Sequence, residues 1–284
     1  MAGRARVTDI ESMAEYQARK AVSAGFLWRM VNDCPAQAYW ESCFNPASVR
    51  EEARHFDDGI ALHCAVLEPH LLARQIVEID ADNYRTKAAQ EARDRAYLDG
   101  RTPMLASDWA KVQEMRLAIE RSDAAELFFG DGQSEVSYTW EWDGVPCKAR
   151  ADRIAGGHLI DLKTAVSASP RAFQRAMIRD GHHLRAAWYI DGWQEQGRDD
   201  GGGLPPPRDY LFVVVAKLAP HLVSIFPLSE RAIEKGRLLY RKGLATFRQC
   251  QETGVWPGYG EAAPIELPTW YEYQLADMEA EGNL

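Results

Sequence analysis

The spacing of apolar positions changes character along the chain. In the first half they recur mainly at helical intervals. Ser23 to Tyr39 predicts one helix. Ser48-Val49-Arg50-Glu51 has the Ser-x-x-Glu form of a capping box, which predicts a helix through Ala61, His63 and Val66 that Pro69 stops. Arg74 to Asp80 reads as a short strand, and Lys87 to Tyr97 and Ser107 to Ser122 as charged helices. At Glu135 the period drops to two. Val136, Tyr138, Trp140 and Trp142 form an apolar face, with Glu135, Ser137, Thr139 and Glu141 opposite. Asp143-Gly144 is a hairpin turn signal, Pro146 to Ile154 the returning strand, Gly156-Gly157 a second turn, and His158 to Thr164 a third strand.

Helical spacing then returns. Ser169-Pro170 suits an N-cap with proline at the first helical position, opening Arg171 to Ile178. A second helix covers His183 to Gln196, and the Gly/Pro-rich stretch from Asp199 to Pro207 is a loop. Tyr210 to Ala216 predicts a buried strand. His221 to Phe226 pairs with it antiparallel, Ser229 to Glu252 forms a long helix, and the tail from Gly258 reads as irregular. There are no internal repeats. The element order predicts a single α/β domain, 1–284: a mixed central sheet flanked by helices, with a helical N-terminal part.

Composition narrows the function classes only a little. A net charge of −9 argues against a non-specific nucleic-acid coat protein, yet not against an enzyme whose carboxylates hold a cation. There is no apolar run long enough to span a membrane, and residues 1–20 lack a signal-peptide core, so the expected location is cytoplasmic. The cysteines are Cys34, Cys43, Cys64, Cys147 and Cys250, with no CxxC pair, which fits reduced thiols.

The strongest chemical signal is Asp152 followed by Asp161-Leu162-Lys163. Neighbouring strands set these groups side by side, and alternation puts Asp161 and Lys163 on one face with Leu162 on the other. Two converging carboxylates repel unless a hard cation joins them, and a lysine beside them can orient water and stabilise phosphate charge. The pattern also fits an ion pair on a sheet edge. Likewise, His63 in an apolar helix fits a buried, backbone-bonded histidine as well as a ligand.

Gly144 to Ile154, with Leu159-Ile160-Asp161-Leu162-Lys163-Thr164, resembles the core of the PD-(D/E)xK nucleases, and in particular the nuclease domain of exodeoxyribonuclease VIII, the RecE family. Gly59 to Cys64 with Leu67-Glu68-Pro69 is similar to that family's histidine motif. His183 to Gly192, Gly236-Arg237 with Tyr240, and Leu267-Pro268 with Trp270 fit its later segments. The resemblance covers residues 23–270, leaving 1–22 as an extension and 271–284 as a tail.

That resemblance implies His63, Asp152, Asp161 and the Leu162 carbonyl as ligands of Mg²⁺ (or Mn²⁺), with Lys163, Asp152 and Asp161 catalytic. It implies 5′-to-3′ exonuclease action on linear double-stranded DNA that leaves 3′ single-stranded tails. A RecT-like annealing partner and a ring-shaped homo-oligomer are implied as well. The sequence departs from the pattern at Ala151, where the family has proline, and at Arg185, where it has glutamine. An endonuclease, a flap nuclease or a DNA-binding module without catalysis are the alternatives.

Glu135 is a possible supporting acid for the metal or a solvated strand residue. Arg150, Arg185, Tyr189 and Ser23 are candidate DNA contacts, with Ser23 equally a helix cap. Arg171, Arg175 and Arg179 fit either a phosphate groove or a solvated helix face. His182 and His183 read as helix-start residues. Trp188, Trp193, Trp256 and Trp270 read as packing residues. Only Cys250 lies beyond Cys147, so no iron–sulfur cluster is expected.

Overall fold

The computed structural model describes residues 7–8, 11–48, 57–199, 207–260 and 264–282. Its strands are β1 (Val7–Thr8), β2 (Ile76–Ile79), β3 (Thr102–Leu105), β4 (Gly132–Trp142), β5 (Val145–Ala155), β6 (His158–Ala165), β7 (Asp209–Ala216) and β8 (Val223–Pro227). The first six helices are α1 (Met13–Ala18), α2 (Ala24–Asn32), α3 (Pro35–Trp40), α4 (Asp57–Leu67), α5 (Leu72–Gln75) and α6 (Lys87–Leu98). The rest are α7 (Ala106–Glu120), α8 (Ala125–Phe129), α9 (Pro170–Arg179), α10 (His182–Asp199), α11 (Glu230–Thr253) and α12 (Thr269–Ala280).

The main sheet runs β1-β4-β5-β6-β7-β8, and only the β6–β7 pair is parallel. Both hairpins of the meander turn on residues with positive φ, at Asp143-Gly144 and Gly156-Gly157, as type I′ geometry demands. Alternation divides the strands between two apolar layers. Leu159, Phe212 and Val214 face the side covered by α2, α10 and α11; Ile160, Leu162, Val213 and Val215 face α4 and α7. A β7 whose residues are buried on both faces explains its continuous apolar run.

A tryptophan and a tyrosine fix α10 against the sheet. Trp188 Nε1 donates to the Lys148 carbonyl at 3.0 Å, and Tyr138 Oη donates to the Tyr189 carbonyl at 2.8 Å. Helix α11 then crosses α10 at Gly236, where a Cβ would stand 2.1 Å from the His183 carbonyl oxygen.

The far face of β5 takes the N-terminal segment. Lys148, buried, donates through Nζ to the carbonyls of Tyr16 (2.8 Å), Gln17 (3.2 Å) and Arg19 (2.7 Å). Arg150 reaches the Glu11 carbonyl at 2.6 Å, and Val22 exchanges backbone hydrogen bonds with the β5 chain at Pro146 and Lys148. The aliphatic stems and charged heads of these two residues thus anchor residues 11–22 to the sheet.

The structure corrects three readings. The predicted helix over Ser23 to Tyr39 is two helices, because Pro35 opens α3 and the residue before it, Cys34, is forced into an extended conformation. The tail is not wholly irregular: α12 follows Pro268 and buries no side chain. Trp270 accordingly packs into no core and is 67% exposed, whereas Trp188 and Trp193 are buried and Trp256 stacks on Tyr39. Strand β2 pairs in parallel with β3, a strand hidden in the sequence by Pro103. Helix α4 carries Ala61, His63 and Val66 as expected, while the capping box at 48–51 extends outside the described residues.

Candidate metal-binding active site

The sheet opens where the chemistry lies. Antiparallel pairing of β5 with β6 begins beside the turn and stops at Arg153–Ile160. One residue further on, the Asp152 carboxylate replaces a backbone acceptor and takes the Leu162 N–H at 2.8 Å. On the other side, the β4–β5 ladder pairs Ser134 with Arg153 and Val136 with Ala151 but skips Glu135 and Asp152. Glu135 has φ +55°, unusual for a residue with a side chain. Ala149, Ala151 and then Ile154 pack into the same core, so the alternation slips by one at Asp152. Backbone irregularity of this kind concentrates at functional sites.

His63, from α4, sits between the acids. Its Nε2 lies 3.0 Å from the Leu162 carbonyl oxygen and 3.4 Å from Asp152 Oδ2; its Nδ1 lies 3.6 Å from Glu135 Oε1. Glu135 is itself held by Arg150 Nε at 2.6 Å, and Arg150 also bonds Ser137. Arg150 is therefore a buried clamp on an acid and on the N-terminal segment. The imidazole, oriented at Nδ1 by a pinned carboxylate, presents Nε2 to Asp152 and to a backbone carbonyl, the arrangement commonly found behind a metal-bound histidine.

A second cluster surrounds Asp161, which is 2% exposed. Tyr210 Oη donates to its Oδ2 at 2.9 Å, Arg185 contacts the same oxygen at 3.3 Å, and the Lys163 ammonium is paired with Oδ1. Asp161 and Lys163 thus share one face of β6, with Leu162 on the other.

Charge follows geometry. Burial and the neighbouring Asp161 push Asp152 up to about 6. Burial alone raises Asp161 too, but Lys163 and Arg185 outweigh it and hold that carboxyl well below its ordinary range. Burial pulls the His63 imidazole down; Asp152 and Glu135 overcome this and raise it to about 9. The site is therefore an acidic pair beside a protonated histidine.

His63, Glu135 and Asp152 each offer a ligand atom within 4.8 Å of the others. Carboxylate, carbonyl and imidazole donors suit a small hard divalent ion such as Mg²⁺ or Mn²⁺, so the donor set fits the metal. These three residues line a cleft of about 250 Å³ together with Arg150, Arg185, Tyr189 and the start of α2 at Ser23, Ala24 and Gly25. Ser23 is the N-cap, accepting from the Phe26 N–H. A larger groove of about 1000 Å³ adjoins it, sharing Tyr16, Ser23 and Gly25.

Sequence reasoning did not single out Tyr210. It lies in an apolar strand, and only the register of β7 beside β6 brings its hydroxyl to Asp161. Of the candidate residues, His63, Glu135, Asp152 and the Leu162 carbonyl come together, Asp161, Lys163 and Arg185 form the neighbouring cluster, and Arg150, Arg185, Tyr189 and Ser23 line the cleft. His182 and His183 begin α10; His182 lies against Phe173 and Phe212, and burial lowers it to about 4. Arg171 and Arg175 make no ion pair among the described residues, and Arg179 pairs with Asp180.

A mixed sheet split at two acids, with a lysine two residues after the second, defines a protein of the PD-(D/E)xK type. Residues 27–267 match the model of the family described as PDDEXK-like domain of unknown function (DUF3799), and the chain belongs to that family. The crystal structure of a proposed exonuclease from Eubacterium rectale superposes with a TM-score of 0.62 at 12% identity, covering 91% of this chain and 97% of the other. That likeness shows a shared fold. No curated protein sequence matches the chain.

Proposed function

We propose that the protein is a metal-dependent deoxyribonuclease that degrades linear double-stranded DNA from its 5′ ends. The observation that carries this reading is the convergence of His63 Nε2, Asp152 Oδ2 and the Leu162 carbonyl at the split between β5 and β6, beside the Asp161–Lys163 pair. In this reading His63, Asp152, Asp161 and the Leu162 carbonyl hold Mg²⁺ or Mn²⁺, with Glu135 orienting His63. The bound ion supplies Lewis-acid stabilisation of the phosphate and lowers the pKa of water.

The chain's own groups do the rest. Lys163 leaves Asp161 to orient the attacking water and to offset charge building on the phosphate oxygens. Arg185 and the free N–H groups at the start of α2 receive the phosphate in the cleft, where a helix N-terminus favours an anion. Tyr210 keeps Asp161 in place while Lys163 is away from it. The resemblance to the RecE family and the fold shared with a proposed exonuclease support the exonuclease form of the reaction. By the same resemblance, the 3′ tails would serve strand annealing with a RecT-like partner.

The test is a time course on linear duplex DNA labelled separately at each end, with Mg²⁺ or EDTA, beside a covalently closed circle. The reading expects early, Mg²⁺-dependent release of the 5′ label and an intact circle. First release of the 3′ label overturns the polarity, and cutting of the circle makes the protein an endonuclease. No release with Mg²⁺ or Mn²⁺ removes the catalytic reading.

A further inference from the structure

The catalytic cleft does not end at the metal-binding residues. The larger groove of about 1000 Å³ continues from it past the first turn of α2, and Tyr16, Ser23 and Gly25 line both. Gly25 marks the threshold. It is exposed, its φ is not positive, and a Cβ there would meet no atom within 4 Å. Neither backbone strain nor packing therefore asks for glycine, which a helix disfavours. A longer side chain at this position would stand where the two spaces join.

Beyond that threshold the groove is lined by Trp40, 63% exposed at the end of α3. Its backbone is fixed although its side chain is uncovered. Tyr39 stacks on Trp256 with ring centres 4.4 Å apart, and Asn45 Nδ2 donates to the Trp40 carbonyl at 3.0 Å. An exposed, firmly based indole is a surface on which an unpaired base stacks. Charge on the groove wall favours a polyanion as well. Among the described residues Arg29 and Lys148 stand against one acid, Glu41, and Arg29 pairs with it at 2.5 Å.

Resting on the reading of the cleft as a site of DNA cleavage, we propose that this groove binds the unpaired, single-stranded extension of a DNA end. The backbone crosses α2 at Gly25, and a base stacks on Trp40. A strand whose scissile phosphate sits in the cleft must continue out of it, and the groove is continuous with the cleft. The protein then accepts ends that carry single-stranded extensions as well as flush ones.

Fluorescence anisotropy tests it, with a short labelled oligothymidylate and an abasic strand of the same length. The protein is the full chain with Mg²⁺, carrying Lys163→Ala to spare the DNA. This parent is expected to bind the oligothymidylate more tightly than the abasic strand. Adding Trp40→Ala should weaken the oligothymidylate about 5- to 150-fold, the range for one lost base–aromatic stack, and leave the abasic strand unchanged. Trp40→Phe should recover most of that loss, and Gly25→Gln should weaken both strands. Equal affinity of the parent for the two strands overturns the proposal, and this comparison stands even where a variant fails to fold. So does binding indifferent to Trp40→Ala or to Gly25→Gln, or a Trp40→Ala loss that the abasic strand shares equally. Digestion of flush duplex by the wild type without Trp40-dependent binding strikes this inference alone. Trp40-dependent binding without digestion strikes the nuclease reading alone.

Discussion

At the scale of single residues, the arrangement around Asp161 separates two roles that activity alone confuses. Lys163 is paired with Asp161 Oδ1, so if Asp161 holds the ion as proposed, ammonium and metal compete for one carboxylate. Lys163→Ala should therefore lower the cleavage rate by about 10²–10⁴-fold, the range for loss of a positioned acid–base group, while metal affinity stays equal or rises. Calorimetric titration with Mn²⁺ alongside the rate measurement checks this, and a fall in affinity would contradict it. The histidine makes a second prediction. Its pKa of about 9 keeps His63 charged at pH 7.5, so if Nε2 ligates the ion as proposed it must first release a proton. Metal binding should release close to one proton per site and strengthen as pH rises from 7 to 9. Below about pH 6, protonation of Asp152 weakens it further. Titration in buffers of different ionisation enthalpy reads the released protons, and His63→Ala should abolish most of that release.

At the scale of elements, the site depends on how α10 is held. Gly236 lets α11 approach the His183 backbone where no Cβ fits. Gly236→Ala must push α11 outward, and a loss of about 1–3 kcal/mol, seen as a lower melting temperature, is expected from overpacking. An unchanged melting temperature would show that the crossing adjusts freely. The elements also mark how far the sequence could be read. Asp143-Gly144 and the alternation from Val136 to Trp142 announce the meander, and Asp161 and Lys163 share a face because residues two apart in a strand must. The same alternation rule misses the slip at Asp152 and the positive φ of Glu135, because neither leaves a mark in polarity. Tyr210 is hidden for another reason. An aromatic residue at the start of a buried strand reads as core, and its partner lies 49 residues away. The break before α3 was legible in Pro35, where continuity of apolar spacing outweighed a proline. Strand β3 was masked in the opposite way, by a proline that a short outer strand tolerates.

At the scale of the whole molecule, charge is segregated rather than shared. The chain up to Arg248 is close to neutral, and the acidic excess belongs to the C-terminal segment, so the overall −9 says little about the surface near the cleft. This is why a net acidic chain is compatible with a polyanionic substrate. None of the described helices is long and apolar enough to cross a membrane. The anchoring of residues 11–22 by Lys148 and Arg150 bears on the order in which the chain can assemble. The Lys148 contact to Tyr16 spans 132 residues, and that of Arg150 to Glu11 spans 139. During synthesis residues 11–22 leave the ribosome ahead of β5 and cannot dock until it has followed them out, after every helix from α2 to α8. This segment is therefore made early and seated late, and the closure of the long loop slows the completion of the cleft in a newborn chain.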